Sequence, residues 1–461
     1  TRYLKHARHL VVPILTHLIN LCFRESVFPD SLKQSTITPI YKSGDQDDVR
    51  NYRPISILPA ISKIFEKIIN IQLINYLDKY SILSDSQMSF RKGKSTEDAV
   101  IALSSTIVEN LDKRNKCLAV FLDLKKAFDT VSIPILLNKL EKVGIRGAPL
   151  LLFKNYLQRR TQRVKLGQHM SNEAEVLYGV PQGSVLGPTL FLIYINDLSV
   201  VFSGHSWQEV QRSAELGIAH IAKWLKQNLL TLNTSKTNFV CFSITKRTQP
   251  SQDFSIAVHT CNNPSSCICP KIDRVPETKY LGVIIDQRLS WNPHISQVAS
   301  RIRKLIWIFK TLRHVVPTPR INENNPGGAV KTKLIELERA QRALIKVMYF
   351  KGTRYPTHNL YLISNLLSVR KLYIQQTVLR KHKSMNHVED IGAKRRKHVN
   401  VKIPKLNTSL ADMQYNKRSA QLYNKIHKEL DIYSKVYRDC KKRIKKWIIS
   451  LTYEETEALL R

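Results

Sequence analysis

The chain has 461 residues, 43% of them hydrophobic, and carries 73 Lys and Arg against 36 Asp and Glu for a net charge of +37. That length suits about two to four domains or one multi-lobed enzyme, and that charge points to a polyanionic partner, nucleic acid ahead of an anionic membrane surface. The odd, scattered set of seven Cys argues against a disulfide framework. No apolar run is long enough to cross a bilayer, and a sequence that begins at Thr1 is expected to be a piece of a longer chain, with any targeting signal upstream.

Residues 1–30 read as a core helix, with Leu10, Ile14, Leu18 and Leu21 at helical spacing and Pro29-Asp30 closing it. Residues 32–41 alternate as a strand, and Lys42-Ser43-Gly44-Asp45 turns the chain. On the return comes Asn51-Tyr52-Arg53-Pro54-Ile55-Ser56. Lys42, a point charge, and Arg53, a planar fork, could together grip a triphosphate, although taken locally two ordinary surface cations is the favoured reading. Residues 60–79 form an amphipathic helix with Ile61, Ile64, Phe65, Ile68, Leu73 and Leu77 inward. Phe90-Arg91-Lys92-Gly93-Lys94-Ser95-Thr96 then reads as a phosphate-contact loop ahead of a capped helix, without the glycine spacing of a P-loop.

The apolar run Leu118-Ala119-Val120-Phe121-Leu122 predicts a short buried strand ending on Asp123. A carboxylate there is costly unless paired or bound to a cation; the alternatives are a metal ligand and a cap on the next helix. A helix is expected over Ile133 to Val143, stopped by Gly144, then a basic helix with Arg159, Arg160 and Arg163. Gly179-Val180-Pro181-Gln182-Gly183-Ser184 opens a helix through Phe191, Ile193 and Ile195, its small residues letting another chain or a base pair approach the backbone. Leu289 to His314 reads as a long helix with Ile295, Val298, Ile302, Leu305, Phe309 and Leu312 on one side and cations around them, suited to phosphate tracking.

Asp123 with Lys126-Ala127-Phe128-Asp129, followed by Gly179 to Ser184, resembles the palm of reverse transcriptases, in the style of jockey-like non-LTR retrotransposons. Asn51 to Ser56 and Phe90 to Thr96 are similar to that family's finger motifs, and Leu232-Asn233-Thr234-Ser235-Lys236-Thr237 and Tyr280-Leu281-Gly282-Val283 to its later palm motifs. The resemblance covers roughly residues 25–350 and implies an α+β right-hand polymerase. Its expected parts are an N-terminal helical extension (1–30), fingers (31–115), a palm with an antiparallel sheet (116–285), a helical thumb (286–369) and a basic helical C-terminal region (370–461).

The resemblance implies RNA-directed DNA synthesis by two-metal nucleotidyl transfer, with Mg²⁺ or Mn²⁺, an RNA template, a DNA primer and deoxynucleoside triphosphates. By similarity, Asp123 and the Leu124 carbonyl hold metal, and Lys236 gives a proton to the leaving pyrophosphate. Lys42 and Arg53 hold the triphosphate, Phe128 excludes a 2′-hydroxyl, and Gln182 and Gly183 line the nucleotide pocket. Arg91 and Lys92 touch the template backbone, and Tyr280, Leu281 and Gly282 form the primer grip. An upstream endonuclease and a nuclear location are expected of the whole element.

The sequence departs from the family after Ile195-Asn196-Asp197-Leu198. The Phe- or Tyr-Ala-Asp-Asp hairpin expected there is absent, and Val200-Val201-Phe202-Ser203-Gly204 reads as its tail. Asp197 more naturally ends a helix than replaces the missing ligands. The expectation is an enzyme crippled by an internal deletion, or a non-catalytic RNA/DNA-binding remnant. Loss of a central palm strand would expose sheet edges and favour aggregation. A second abridgement is read at Pro317 to Lys331, in the loop-like Asn322 to Gly328. Cys261, Cys267 and Cys269 lack a fourth nearby ligand and read as loop thiols rather than a zinc site. The tail interleaves Tyr415, Tyr423, Tyr433, Tyr437 and Trp447 with cations, which fits RNA contact and a helical core equally, and Lys394-Arg395-Arg396-Lys397 could be an import signal.

Overall fold

Among the described residues, two five-stranded β-sheets and a two-stranded hairpin, placed in sequence ahead of a run of helices, carry the fold. The computed structural model describes residues 8–195, 201–245, 248–259, 269–312, 331–385, 401–404, 408, 414–433 and 436–460. Asp197, Cys261, Cys267, Asn322 to Gly328 and Lys394 to Lys397 lie outside the described residues.

Helix α1 (Arg8–Glu25) leads into strand β1 (Gln34–Tyr41), which returns as β2 (Tyr52–Ile57). The two pair antiparallel, Thr36 opposite Ile57 and Tyr41 opposite Tyr52. Helices α2 (Ala60–Lys79) and α3 (Thr96–Asp112) follow. Ser95 and Asp98 form a reciprocal cap on α3: the Ser95 hydroxyl takes the Asp98 N–H, and the Asp98 carboxylate takes the Ser95 N–H at 2.7 Å.

Strand β3 (Lys116–Phe121) is next, then helices α4 (Ile133–Lys142) and α5 (Ala148–Leu157). Short strands β4 (Thr161–Leu166), β5 (His169–Met170) and β6 (Ala174–Glu175) lead to helix α6 (Gly187–Tyr194). Strand β7 (Val201–Gly204), helix α7 (Trp207–Gln227) and strands β8 (Asn238–Phe242), β9 (Ile256–Ala257) and β10 (Lys271–Arg274) complete the central sheet, in the order β7-β3-β8-β10-β9.

The apolar run in β3 is continuous because both faces of the strand are covered. Leu118 and Val120 pack with Val210, Ala214 and Ile218 of α7. Cys117 and Ala119, one residue out of phase, pack with Ile107, Val108 and Leu111 of α3. Burial raises the Cys117 and Cys241 thiols to about 12, so both are inert packing groups.

A hairpin of β11 (Glu277–Tyr280) and β12 (Val283–Asp286) ends the sheet region. Its turn residues, Leu281 and Gly282, both have positive φ, +49° and +91°. Helices α8 (Asn292–Leu312) and α9 (Lys331–Met348) pack through Ile295, Ala299, Leu337 and Ala340. Helices α10 (Thr357–Ser364), α11 (Val369–Met385), α12 (Tyr415–Leu430), α13 (Tyr437–Ser450) and α14 (Tyr453–Leu460) follow. Buried Arg370 of α11 joins Glu338 of α9 to Glu457 of α14, at 3.4 and 2.9 Å.

Four expectations differ from the structure. Leu10, Ile14 and Leu18 of α1 are exposed; Leu15, Ile19, Cys22 and Phe23 face the core instead. The helix is apolar nearly all round, so spacing alone could not choose its inner face. The segment with Arg159, Arg160 and Arg163 is not a helix: α5 ends at Leu157, and β4 pairs in parallel with β1, Thr161 opposite Gln34. Strands β4 to β6, within the bounds given to the palm, thereby extend the β1–β2 sheet. Finally, the strand that leads to Asp123 has a partner on each side, where a missing central strand was expected to leave open edges. Strand β3 is flanked by β7 and β8, with Ala119 opposite both Val201 and Val240, and β7 is an outer strand of this sheet.

Candidate active site

The site grows from the end of β3. Two residues past the strand, the half-buried Asp123 is fixed by the loop before β8. The Asn233 side-chain amide donates to Asp123 Oδ2 at 2.8 Å, the Asn233 N–H donates to the Asp123 carbonyl at 2.7 Å, and the Asp123 N–H donates to Thr237 Oγ1 at 3.2 Å. Leu124 forms an antiparallel bridge with Leu232, flanked by these bonds and by the Lys125 N–H to the Thr231 carbonyl. The Leu124 carbonyl takes no part in that pair of bonds. Lys236 lies in the same loop and is exposed. Asn233 was quoted in the sequence only as part of a motif; its hold on Asp123 needs the fold to be seen.

The glycine-rich loop docks from the other side. Gly179 and Val180 donate to the Val131 and Phe128 carbonyls, at 2.8 and 2.9 Å. The Gln182 amide reaches Asp129 Oδ1 at 2.7 Å. Burial pushes the Asp129 carboxyl above its ordinary range, against the Gln182 bond and Lys126. Gly183, at φ +119°, lies so close to β2 that a Cβ would stand 2.7 Å from the Ser56 carbonyl, and Ser56 N–H donates to the Gln182 carbonyl at 2.7 Å. One loop therefore bonds both to β2 and to the segment following Asp123.

Behind the loop is a residue that sequence reading missed. Glu66 of α2 is fully buried, and its Oε2 accepts the N–H groups of Val185 (2.6 Å) and Leu186 (3.3 Å) at the start of α6. Burial raises its carboxyl above the ordinary value; the two N–H bonds and nearby Arg160 oppose that rise. Its signal was available: Glu66 stands between Phe65 and Ile69 among the inward positions of α2.

The remaining candidates fall at two places. Lys42 and Arg53 lie on the β1–β2 hairpin, exposed and without an ion pair among the described residues. Phe128 stacks on Phe191 (4.4 Å, 25°) and meets the edge of Phe90, so its ring is part of the packing as well as of the site. The Tyr280 ring contacts Phe121 of β3 at 5.5 Å, which sets the β11–β12 hairpin beside the strand that leads to Asp123. Arg91 is turned inward, donating to the Ser84 carbonyl at 2.9 Å with Asp78 at 3.8 Å, whereas Lys92 is exposed.

The donors present fit one hard cation held by Asp123 together with substrate phosphates and water. Among the described residues no second strand adds a carboxylate beside Asp123: Asn233 donates to one Asp123 oxygen, and β7 contributes Val201-Phe202-Ser203-Gly204. Among the described residues no group of three or more His, Cys, Asp or Glu could hold a metal ion.

A family model described as reverse transcriptase (RNA-dependent DNA polymerase) matches residues 40–285. The chain is similar to the probable RNA-directed DNA polymerase from transposon X-element of Drosophila melanogaster, 31% identical over 63% of the chain and 33% of that protein. It is 29% identical to the probable RNA-directed DNA polymerase from transposon BS of the same species, over 64% and 34%. It is 25% identical to the RNA-directed DNA polymerase from mobile element jockey of Drosophila melanogaster, again over 64% and 34%. The chain thus spans about a third of the length of these relatives. Among solved structures, telomerase from Candida albicans aligns over 92% of this chain and 66% of its own, at TM-score 0.43 and 11% identity.

Proposed function

Because the chain belongs to the reverse transcriptases of jockey-like non-LTR retrotransposons, with a right-hand polymerase fold, we propose that it is the polymerase segment of such an element, built to extend a DNA primer on an RNA template. The observation that carries this is the single bonded unit around β3. The glycine-rich loop is locked between Ser56 and Phe128–Asp129, while Asn233 fixes the Asp123 carboxylate.

In this reading Lys42 and Arg53 take the triphosphate from the hairpin, and Gln182 and Gly183 wall the nucleotide pocket. Phe128, braced by Phe191, presents an edge to the sugar and disfavours a 2′-hydroxyl. Lys92 contacts template phosphates, with Arg91 holding its loop in shape. The Tyr280 to Gly282 hairpin supports the primer end, and exposed Lys236 is placed to give a proton to pyrophosphate. A divalent ion, Mg²⁺ or Mn²⁺, bound by Asp123 and the Leu124 carbonyl supplies charge neutralisation on the phosphates. Residues 31–115, 116–285, 286–369 and 370–461 serve as fingers, palm, thumb and basic tail, except that 161–175 contribute strands to the fingers sheet. On this reading the element to which the chain belongs acts in the nucleus.

The second half of the proposal is that transfer is crippled. Phosphoryl transfer depends on positioning and electrostatics, and one carboxylate does not make a two-ion centre. The chain is then a template- and primer-binding remnant. Primer extension on an RNA template tests this, comparing the chain with a version carrying Phe-Ala-Asp-Asp and its leading strand after Leu198. Extension by the restored version alone, abolished by Asp123→Asn, is expected. Extension by the unrestored chain that Asp123→Asn abolishes would remove the claim of impairment.

A further inference from the structure

A cavity of about 890 Å³ opens between the N-terminal half of α3, the junction of β12 with α8, and helices α11 to α13. None of Lys42, Arg53, Asp123, Phe128, Gln182 or Gly183 lines it; of the residues assigned above to template or primer, only Lys92 does. We propose that this cavity is a second nucleic-acid site, taking a few nucleotides of a single strand, apart from Asp123. The inference stands whether or not the chain polymerises.

Its charge is positive for a structural reason. The acids of the wall, Glu97 and Asp98, are both engaged by Arg380 from α11. Lys92, Lys94 and Lys383 remain exposed on the rim, with no ion pair among the described residues. The same wall carries Trp291, Tyr415 and Tyr437. Cations that track a backbone, interleaved with rings on which bases stack, are the two components of single-strand binding. A duplex has no unstacked bases to offer these rings, and a cavity of this volume lies in the range of ligand clefts rather than of a duplex channel. An acidic peptide would satisfy the cations and leave the rings unused.

The tail aromatics divide accordingly. Tyr423 is buried in the helical core beside His382 and His427, and Trp447 packs on the same core. Tyr415 and Tyr437 face the cavity instead. The C-terminal region is bound to α3 along its length: Arg380 holds Glu97, the Gln414 amide reaches the Ser105 carbonyl and Glu109 (both 3.3 Å), and the Thr408 N–H donates to Asp112 (2.7 Å).

The test is photocrosslinking of the full chain with roughly 12-nucleotide oligouridine RNA and its deoxy counterpart, both carrying 5-iodouracil, with crosslinked peptides mapped by mass spectrometry. Crosslinks at Trp291, Tyr415 or Tyr437 are expected. In the Lys94→Glu/Lys383→Glu variant they fall at least about fivefold while crosslinks elsewhere persist, and the salt dependence of binding flattens by about 1.4 in log–log slope. If charge reversal impairs folding, Lys94→Gln/Lys383→Gln gives the same comparison. Crosslinking by RNA alone assigns the site to RNA; by both, to single strands generally. Crosslinks confined to other peptides, or unchanged in the variants, or displaced by an acidic peptide and not by oligouridine, overturn the proposal.

Discussion

The Val185 N–H donates to Glu66 Oε2 at 2.6 Å, tying the middle of α2 to the glycine-rich loop 119 positions later. Glu66→Ala leaves the half-buried Val185 N–H and the buried Leu186 N–H without an acceptor. A loss of about 2–5 kcal/mol is expected in chemical denaturation.

The same carboxyl makes a pH prediction. Burial raises its value above the ordinary 4.5, so the native state keeps a proton that the unfolded chain has lost. The stability this adds is complete below the ordinary value and disappears as pH rises through the raised one. Glu66→Gln removes that slope. The melting temperature of the Gln variant, minus that of the parent, should therefore rise between about pH 4 and about pH 8. A constant difference across that range counts against a raised Glu66.

Two glycines with positive φ should respond differently to alanine. At Gly183 a Cβ meets the Ser56 carbonyl at 2.7 Å, whereas at Gly282 nothing lies within 4 Å. Both substitutions strain the backbone by about 1–3 kcal/mol. Gly183→Ala also forces β2 and the loop apart, so it should destabilise the chain clearly more than Gly282→Ala in parallel melts.

Asn233 orients the Asp123 carboxylate without being able to replace it. In the hairpin-restored chain, Asn233→Ala should lower primer extension by about 10–100-fold. Raised Mg²⁺ should recover part of that loss. A purely structural role would instead appear as a lowered melting temperature with no response to the ion.

Phe128→Ala separates packing from selection. Loss of the stack on Phe191 should cost about 3–5 kcal/mol of stability. The restored chain should then incorporate ribonucleotides more readily relative to deoxyribonucleotides. Unchanged discrimination by a folded variant would leave Phe128 as core only.

Legibility in the sequence followed the physics of each segment. Strand β3 and the capped start of α3 were readable because an apolar run and a Ser-Thr pair ahead of a helix report local forces. The motif residues were readable as types, but their partners were not: Asn233 meets Asp123, and Ser56 meets Gln182, only through long-range pairing. Thr161 to Leu166 was mistaken for helix because three Arg dominated the reading, while its true partner, β1, lies more than a hundred residues away. On α1 an almost uniformly apolar surface gave periodicity nothing to discriminate, and the exposed stripe at Leu10, Ile14 and Leu18 was placed inward.

Strand β7 is bonded on one side only among the described residues, to β3. A sheet margin of this kind accepts a further strand supplied by another molecule. On the reading proposed above, the absent hairpin would join the sheet at its margin rather than at its centre. A synthetic peptide bearing Phe-Ala-Asp-Asp, or the intact polymerase of a related element, could dock along Val201 to Gly204 and lend its carboxylates. On that reading the chain would be a half-enzyme open to complementation.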